Sequence, residues 1–259
     1  MTDIDTRTQA AVSDQPVPWG EGLGRYMAMP AFLAVVCLAL YLYVSSQELD
    51  RIEAVRLTPD VIIETTLRHL YLVGLSTFLV IILAVPFGIL LTRPFMRRFT
   101  PTLVAVTSTM QAVPSIGVIV LLALFITFGV RVAIIALVVY AFVPVLRNTM
   151  VGLQQVDEFM IEAGRGMGMT KLAVLGRIEL PLAVPVMLAG VRTALVINVG
   201  TAAIAVLINS GGLGVIIYTG LVQNRRIVTL TGAVLTGVLA LLVDYAAGIA
   251  EDVLRPRGL

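Results

Sequence analysis

The sequence predicts an all-α membrane protein with about six transmembrane helices. Of its 259 residues, 58% are hydrophobic and only 13% are charged, and the mean hydropathy is +0.98. Soluble domains carry about a quarter charged residues, so this chain has too few charges to cover a globule in water. Several charge-poor stretches have the roughly 20 apolar residues that a helix needs to cross a bilayer. Because lipid cannot hydrogen-bond an open backbone and no strand pattern is present, helices are the expected spanning structure.

Six charge-poor stretches are predicted to cross the membrane. They comprise residues 26–47, 70–92, 102–130, 132–146, 182–208 and 227–250. The third is longer than one crossing requires and is interrupted by the sequence from Gln111 to Ser115, which contains Pro114. Before the second span, Thr58 and Pro59 are typical of an N-cap followed by proline at the first helical position. We therefore expect a short interfacial helix that leads into the second span.

Both ends of the chain are predicted to lie in the cytoplasm. Six spans place the two termini on one side of the membrane, and that side carries eleven basic residues against six on the other. Because cytoplasmic loops are enriched in Lys and Arg, this bias sets the orientation. We expect a polar cytoplasmic tail at residues 1–25, a first helix and external interfacial segment at 26–65, a transmembrane domain at 66–250 and a cytoplasmic C-terminus at 251–259.

The residue types present exclude several function classes. A net charge of +2, with the charges confined to gaps between apolar runs, offers no basic surface for nucleic acid. One cysteine, Cys37, and one histidine, His69, make neither a disulfide framework nor a metal-ligand set. The sequence has no serine, histidine and acid trio suited to hydrolysis and no Gly-x-x-x-x-Gly-Lys-Ser/Thr sequence to hold ATP. We expect no enzymatic activity and no cofactor bound by this chain.

A glycine-rich sequence after the fifth span superficially resembles a phosphate-binding loop. No strand pattern precedes it and no lysine follows it, so a flexible break on the outer side of the membrane is favoured. We expect this break to be part of an external gate, formed by Gly211, Gly212 and Gly214.

The connection at residues 148–181 is polar by the standards of this chain and too long for a simple turn. Asp157 can cap a short helix at its positive end, and Gly164, Gly166 and Gly168 can end that helix. A second short helix follows, so the connection is predicted to form a bent knob on the cytoplasmic side.

A knob of this kind fits a groove in a partner protein. An amphipathic helix delivers apolar anchors together with a charged group that fixes its register. The apolar anchors here are Phe159, Met160 and Met167.

Two motifs in this connection lie at a fixed spacing: Glu162-Ala163-Gly164 with Gly168 four residues on, then nine residues and Ile178-Glu179-Leu180-Pro181. This spacing resembles the EAA signature of permease subunits in type I ABC importers, with glycine in place of alanine at the third position. Over residues 70–259 the chain also resembles the branch that imports glycine betaine, choline, carnitine and related quaternary amines. Further matching segments are Gln111-Ala-Val-Pro114-Ser115, Leu146-Arg147-Asn148-Thr149, Gly190-Val-Arg192-Thr-Ala, Asn198-Val-Gly200-Thr201-Ala, Gly211-Gly212-Leu213-Gly214 and Pro256-Arg257-Gly258-Leu259.

The resemblance implies the type I ABC importer permease fold over residues 66–250, with 148–181 as the cytoplasmic EAA coupling loop. It also implies that the chain lies in a bacterial plasma (inner) membrane, in contact with lipid and beside an identical or homologous second permease. Separate ABC ATPase subunits would hold ATP and Mg, and an extracytoplasmic solute-binding protein would deliver the osmoprotectant. In the family pattern Glu162 meets a basic residue of the ATPase and Gly168 allows the turn. The residues expected at the ATPase are Phe159, Glu162, Ala163, Gly164, Arg165, Met167 and Gly168.

Other functions stay open at this point. The same importer architecture could carry an amino acid or a sulfur-containing betaine. A stand-alone channel or an intramembrane enzyme is a different class, and it would be indifferent to loss of Glu162 or of residues 158–168.

Polar residues within the predicted spans are candidates for the translocation pathway. They are Gln111, Pro114, Ser115, Tyr140, Asn198 and Thr201. Tyr140 could attract a quaternary ammonium by a cation–π contact, or it could be an interfacial anchor. The other residues could equally hydrogen-bond neighbouring helices as packing contacts. Arg192 and Asp244 are hypothesised to form an ion pair, the alternative being that each reaches water at the interface.

Overall fold

The computed structural model describes residues 21–96, 98–110 and 113–254. The predicted tail up to residue 20, the pathway candidate Gln111 and the end of the chain from residue 255 lie outside the described residues. Within those ranges the chain is helical and has no strand. The α-helices are α1 (Glu21–Ser45), α2 (Arg51–Arg56), α3 (Pro59–Thr92), α4 (Thr100–Met110), α5 (Ser115–Phe125), α6 (Val130–Gln154), α7 (Glu158–Gly166), α8 (Lys171–Val174), α9 (Leu180–Ile204), α10 (Gly214–Val222) and α11 (Arg226–Leu254).

Five helical stretches in the described part of the chain are long and apolar enough to cross a membrane. They are α1, α3, α6, the continuous stretch Lys171–Ile208 that contains α9, and α11. The third predicted span is not a single helix, because α4 ends at Met110 and α5 begins at Ser115, with Pro114 as its N-cap. Proline lacks the N–H that a continuous helix requires, so the predicted third span is divided into two shorter helices.

The segment before the second span differs from the expected short interfacial helix. Pro59 is the first residue of α3, as the sequence predicts, but the helix runs unbroken for 34 residues. A helix of that length is about 50 Å long, well beyond the hydrocarbon core. A separate short helix, α2, precedes it, and a capping box between Asp50 and Glu53 fixes its start.

The fourth span is longer than the sequence indicates. The helix α6 continues through Pro144 to Gln154, although proline was expected near its end. The Pro144 carbonyl accepts a hydrogen bond from the Asn148 Nδ2 atom at 2.9 Å. The segment between α6 and α9 is therefore residues 155–179, which we call the knob. It ends in a π-helical turn, Leu175–Glu179, that leads directly into α9.

The helices α3, α6 and α9 form the centre of the bundle. Their buried side chains are largely alanine, valine and leucine, and glycines let the backbones approach closely. A Cβ added at Gly152 on α6 would lie 2.9 Å from the Ala183 carbonyl oxygen on α9, and one at Gly88 on α3 would lie 2.9 Å from the Thr149 Cβ on α6. Such contacts are the usual means of helix association in lipid, where no hydrophobic force acts between apolar helices.

Candidate functional site

The first helix of the knob has both of its ends fixed by local hydrogen bonds. The Asp157 carboxylate accepts from the Phe159 N–H at 2.9 Å and caps the start of α7. At the other end, the Met169 N–H donates to the Gly164 carbonyl at 3.1 Å and the Gly168 N–H to the Arg165 carbonyl at 2.9 Å. This pair of bonds is a Schellman motif, and Gly168 takes the left-handed conformation (φ +82°) that the motif requires.

The second helix of the knob packs closely on the first. The Thr170 hydroxyl accepts from the Ala173 N–H at 3.2 Å and caps α8. Gly164 is buried between the two helices, where a Cβ would lie 2.6 Å from the Ile178 Cδ1 atom. Because Gly164 has no Cβ, α7 can lie directly against the π-helical turn.

The outer surface of the knob carries both apolar and charged side chains. Phe159 is 73% exposed, Met167 is 76% exposed and Leu172 is 81% exposed. The side chains of Glu162 and Arg165 are exposed on the same helix, and of the predicted coupling residues only Gly164 is buried. Large apolar side chains clustered at a surface and mixed with charges are typical of a docking site for another protein.

An ion pair under the knob was not predicted from the sequence. The Arg93 guanidinium at the end of α3 donates to both Glu179 carboxylate oxygens, at 2.6 and 3.3 Å. The Glu179 side chain is only 7% exposed and that of Arg93 is 26% exposed. Glu179 lies within the Ile178-Glu179-Leu180-Pro181 motif, but the sequence carries no signal that pairs it with a residue 86 positions away.

Tyr140 contacts the break between α4 and α5, which contains two further predicted pathway residues. The Tyr140 hydroxyl on α6 donates to the Val113 carbonyl, next to Pro114 and Ser115. Val113 and Pro114 are exposed and Ser115 is half-buried. Tyr140 thus satisfies a carbonyl that the interrupted helix leaves without a helical partner.

Two further predicted pathway residues, Asn198 and Thr201, lie within α9. Asn198 is fully buried on α9, and its Nδ2 atom donates to the Ser76 and Thr77 hydroxyls on α3, both at 3.0 Å. Thr201 is also buried. For Asn198 this geometry matches the packing alternative, in which a polar side chain hydrogen-bonds across helices.

Arg192 and Asp244 lie against each other between α9 and α11. The Arg192 Nε and Nη2 atoms donate to the two Asp244 carboxylate oxygens at 2.5 and 2.6 Å. Glu251 lies 3.9 Å from the same guanidinium. Both side chains of the pair are partly exposed, beside an open cavity of about 410 Å³ that Tyr26 and Tyr245 also line.

The predicted gate glycines form a packed turn. Gly211 and Gly212 both have φ +83°, and a Cβ at Gly212 would lie 3.1 Å from the His69 Nδ1 atom. The buried His69 imidazole accepts from the Leu213 N–H at 3.2 Å through Nδ1, and its Nε2 lies 3.0 Å from the Val199 carbonyl. His69, which the sequence analysis assigned to no site, thus joins α3, α9 and the turn before Gly214.

The described residues contain no group of three or more His, Cys, Asp or Glu side chains that could hold a metal ion.

Comparisons with known proteins agree on one family. Residues 84–257 match the family described as binding-protein-dependent transport system inner membrane component. The chain is 40% identical over 195 residues to the carnitine transport permease protein OpuCB of Listeria monocytogenes, covering 75% of this chain and 88% of that protein. It is 37% identical over 190 residues to the glycine betaine/carnitine/choline transport system permease protein OpuCD of Bacillus subtilis (strain 168), covering 73% and 82%.

A solved structure shares the fold. It is an inward-facing conformation of the MetNI methionine ABC transporter, with a TM-score of 0.66 and 25% sequence identity, covering 75% of this chain and 96% of that chain. The bundle described above therefore has the architecture of an ABC importer permease.

Proposed function

Since this chain belongs to the family of binding-protein-dependent transport system inner membrane components, we propose that it is the permease subunit of an ATP-driven importer of a quaternary-ammonium osmoprotectant. The observation that carries the proposal is the knob: a short capped helix with exposed apolar and charged side chains, at the spacing of the EAA signature. Because the chain has no ATP-binding loop of its own, energy enters from ABC ATPase subunits that hold ATP and Mg.

The knob is proposed to dock on the ATPase and to transmit its motion. Phe159 and Met167 enter an apolar groove, and Glu162 meets a basic residue that fixes the register. When ATP closes the ATPase dimer, the knobs of two permeases move together and the helical bundles rock between inward and outward states. The second permease is a copy or a relative of this chain, and an extracytoplasmic binding protein supplies the solute.

The cargo is proposed from the relatives. The names of the two relatives above cite carnitine, choline and glycine betaine, which share a quaternary ammonium group. MetNI carries methionine on a similar fold, so an amino acid remains the second candidate cargo. The higher identity to the quaternary-amine permeases favours the first.

Orientation follows from the distribution of basic residues. The knob and both ends of the chain are proposed to face the cytoplasm, and the glycine turn at residues 209–213 the outside. This places the knob where cytoplasmic ATPase subunits can reach it.

Co-purification tests the docking role. We expect the unchanged chain to retain its ATPase subunits during affinity purification, and Glu162→Lys to retain at least about tenfold less, because a charge-assisted contact becomes repulsive. Glu48→Lys changes an exposed glutamate at the opposite end of the bundle and is the matched control. Equal retention by both variants would contradict the proposed role of the knob.

Uptake by the reconstituted complex tests the cargo. With its binding protein and ATP, the complex is expected to import radiolabelled glycine betaine, choline or carnitine into proteoliposomes. Import of methionine without import of any quaternary amine would replace the first candidate by the second.

A further inference from the structure

The Arg93–Glu179 ion pair joins two elements that are far apart in the chain. Arg93 is the C-cap residue of α3, and its Nε atom also donates to the Ile89 carbonyl at 3.2 Å. Glu179 is the last residue of the π-helical turn, where the knob becomes α9. The pair therefore connects the end of α3 directly to the junction between the knob and α9.

Burial and geometry show that this pair is well defined. Two parallel N–H to oxygen contacts hold the carboxylate in one orientation, and the Arg93 Nη2 atom also lies 3.2 Å from the Thr92 hydroxyl. A buried ion pair is weak evidence for stability, since hydrophobic residues of similar volume often stabilise as much. The fixed geometry of the pair is therefore better suited to holding two elements in register than to stabilising the folded state.

The position of the pair determines what it can transmit. A displacement of the knob reaches α9 through the continuous backbone of the π-helical turn. Along the chain α4, α5 and α6 separate α3 from the knob, so a displacement of the knob must reach α3 through tertiary contacts. Most of α3 packs on α6 and α9 within the bundle, and the ion pair is the contact that joins the end of α3 to the junction of the knob itself. The ion pair supplies a contact from the knob to α3, and π-helical turns occur frequently at functional positions in helices.

Resting on the proposed function, we propose that Arg93 and Glu179 are positioning residues that make α3 move as one body with the knob. Closure of the ATPases then displaces α3 and α9 together, and the two helices stay in register through each transport cycle. Without the pair, the knob still docks and ATP is still hydrolysed, but α3 follows the motion incompletely.

The test measures solute imported per ATP hydrolysed by the reconstituted complex. Glu179→Gln keeps the size of the side chain and removes its charge. We expect unchanged ATPase association, retained ATP hydrolysis and a fall of about three- to tenfold in import per ATP, in the range of coupling changes caused by residues between two sites. The reversed pair, Arg93→Glu with Glu179→Arg, is expected to recover at least about half of the lost ratio.

Asp244→Asn is the matched control, because it disrupts another two-contact ion pair, between α9 and α11 and not involving the knob. It is expected to leave import per ATP unchanged.

A second experiment links the two positions directly. In a Cys37→Ser background, Arg93→Cys and Glu179→Cys are joined by a short bifunctional thiol reagent. Linking is expected to raise import per ATP above that of the unlinked double variant.

The outcomes separate this inference from the proposed function. If Glu179→Gln lowers thermal stability but leaves import per ATP unchanged, or if linking stops import, the pair does not couple α3 to the knob and the inference is overturned. If no ATPase subunit co-purifies with the unchanged chain, the proposed function fails and this inference with it.

Discussion

His69 joins three parts of the chain through one imidazole ring. Its Nδ1 atom accepts from the Leu213 N–H, so the proton of the neutral ring lies on Nε2, which donates to the Val199 carbonyl. The ring is fully buried and fills the space left by Gly212, whose φ of +83° suits glycine. A donor and an acceptor on one rigid ring thereby fix the glycine turn against α3 and α9.

Replacing His69 tests this arrangement. His69→Leu is expected to lower the free energy of unfolding by about 3 kcal/mol, because the buried Leu213 N–H loses its acceptor. His69→Gln retains a donor and an acceptor and is expected to lose about half as much. The measurement is denaturant unfolding of the purified protein in detergent. Equal losses in the two variants would show that ring volume, and not hydrogen bonding, is what matters at this position.

The helices α10 and α11 lie close together at two glycines. A Cβ at Gly220 on α10 would lie 2.3 Å from the Thr229 Oγ1 atom and 2.4 Å from its backbone nitrogen. On α11, a Cβ at Gly232 would lie 2.8 Å from the Ile217 nitrogen. Backbone atoms cannot move aside as a flexible side-chain end can, so the packing of the two helices depends on these glycines.

A pair of alanine substitutions separates packing from helix propensity. Gly220→Ala is expected to lower the free energy of unfolding by about 3 kcal/mol, because α10 must shift away from α11. Gly237→Ala on α11, where a Cβ would meet nothing within 4 Å, is expected to raise it by about 0.5 kcal/mol through the helix preference of alanine. Thermal unfolding of the two variants checks the prediction, and a loss of stability with Gly237→Ala would contradict it.

At the scale of the whole molecule, the bundle has two distinct ends. One carries the knob, with exposed Leu172 at the start of α8, and the other carries the turn between α10 and α11, with exposed Asn224. The distribution of basic residues predicts that the knob end faces the cytoplasm. The ATPase can dock only if this orientation is correct.

Accessibility labelling tests the orientation. In a Cys37→Ser background, Asn224→Cys is expected to react with a membrane-impermeant maleimide added to intact cells. Leu172→Cys is expected to react only after the membrane is opened. The reverse pattern would place the knob outside and would contradict the docking proposal.

Features that depend on neighbouring residues could be predicted from the amino-acid sequence alone. Apolar length indicated the spans, and Pro114 predicted the break between α4 and α5. Asp157 predicted the start of α7, and three glycines predicted its end: Gly164 and Gly166 lie inside the helix, and Gly168 takes the left-handed turn after it. These are local effects, because caps, proline breaks and left-handed turns involve atoms within a few residues of one another. The same local rules misplaced the end of α6, where Pro144 is accommodated inside a packed helix.

Contacts between residues that are far apart in the chain became known only from the packed helices. Arg93 and Glu179 are 86 residues apart, and His69 and Leu213 are 144 apart. For Arg192 and Asp244 the sequence suggested a pair but could not exclude two separate contacts with water, and for Asn198 it left pathway and packing equally open. The physical reason is that the rotation of each helix about its axis is set by packing against its neighbours, and that rotation decides which polar side chains face each other.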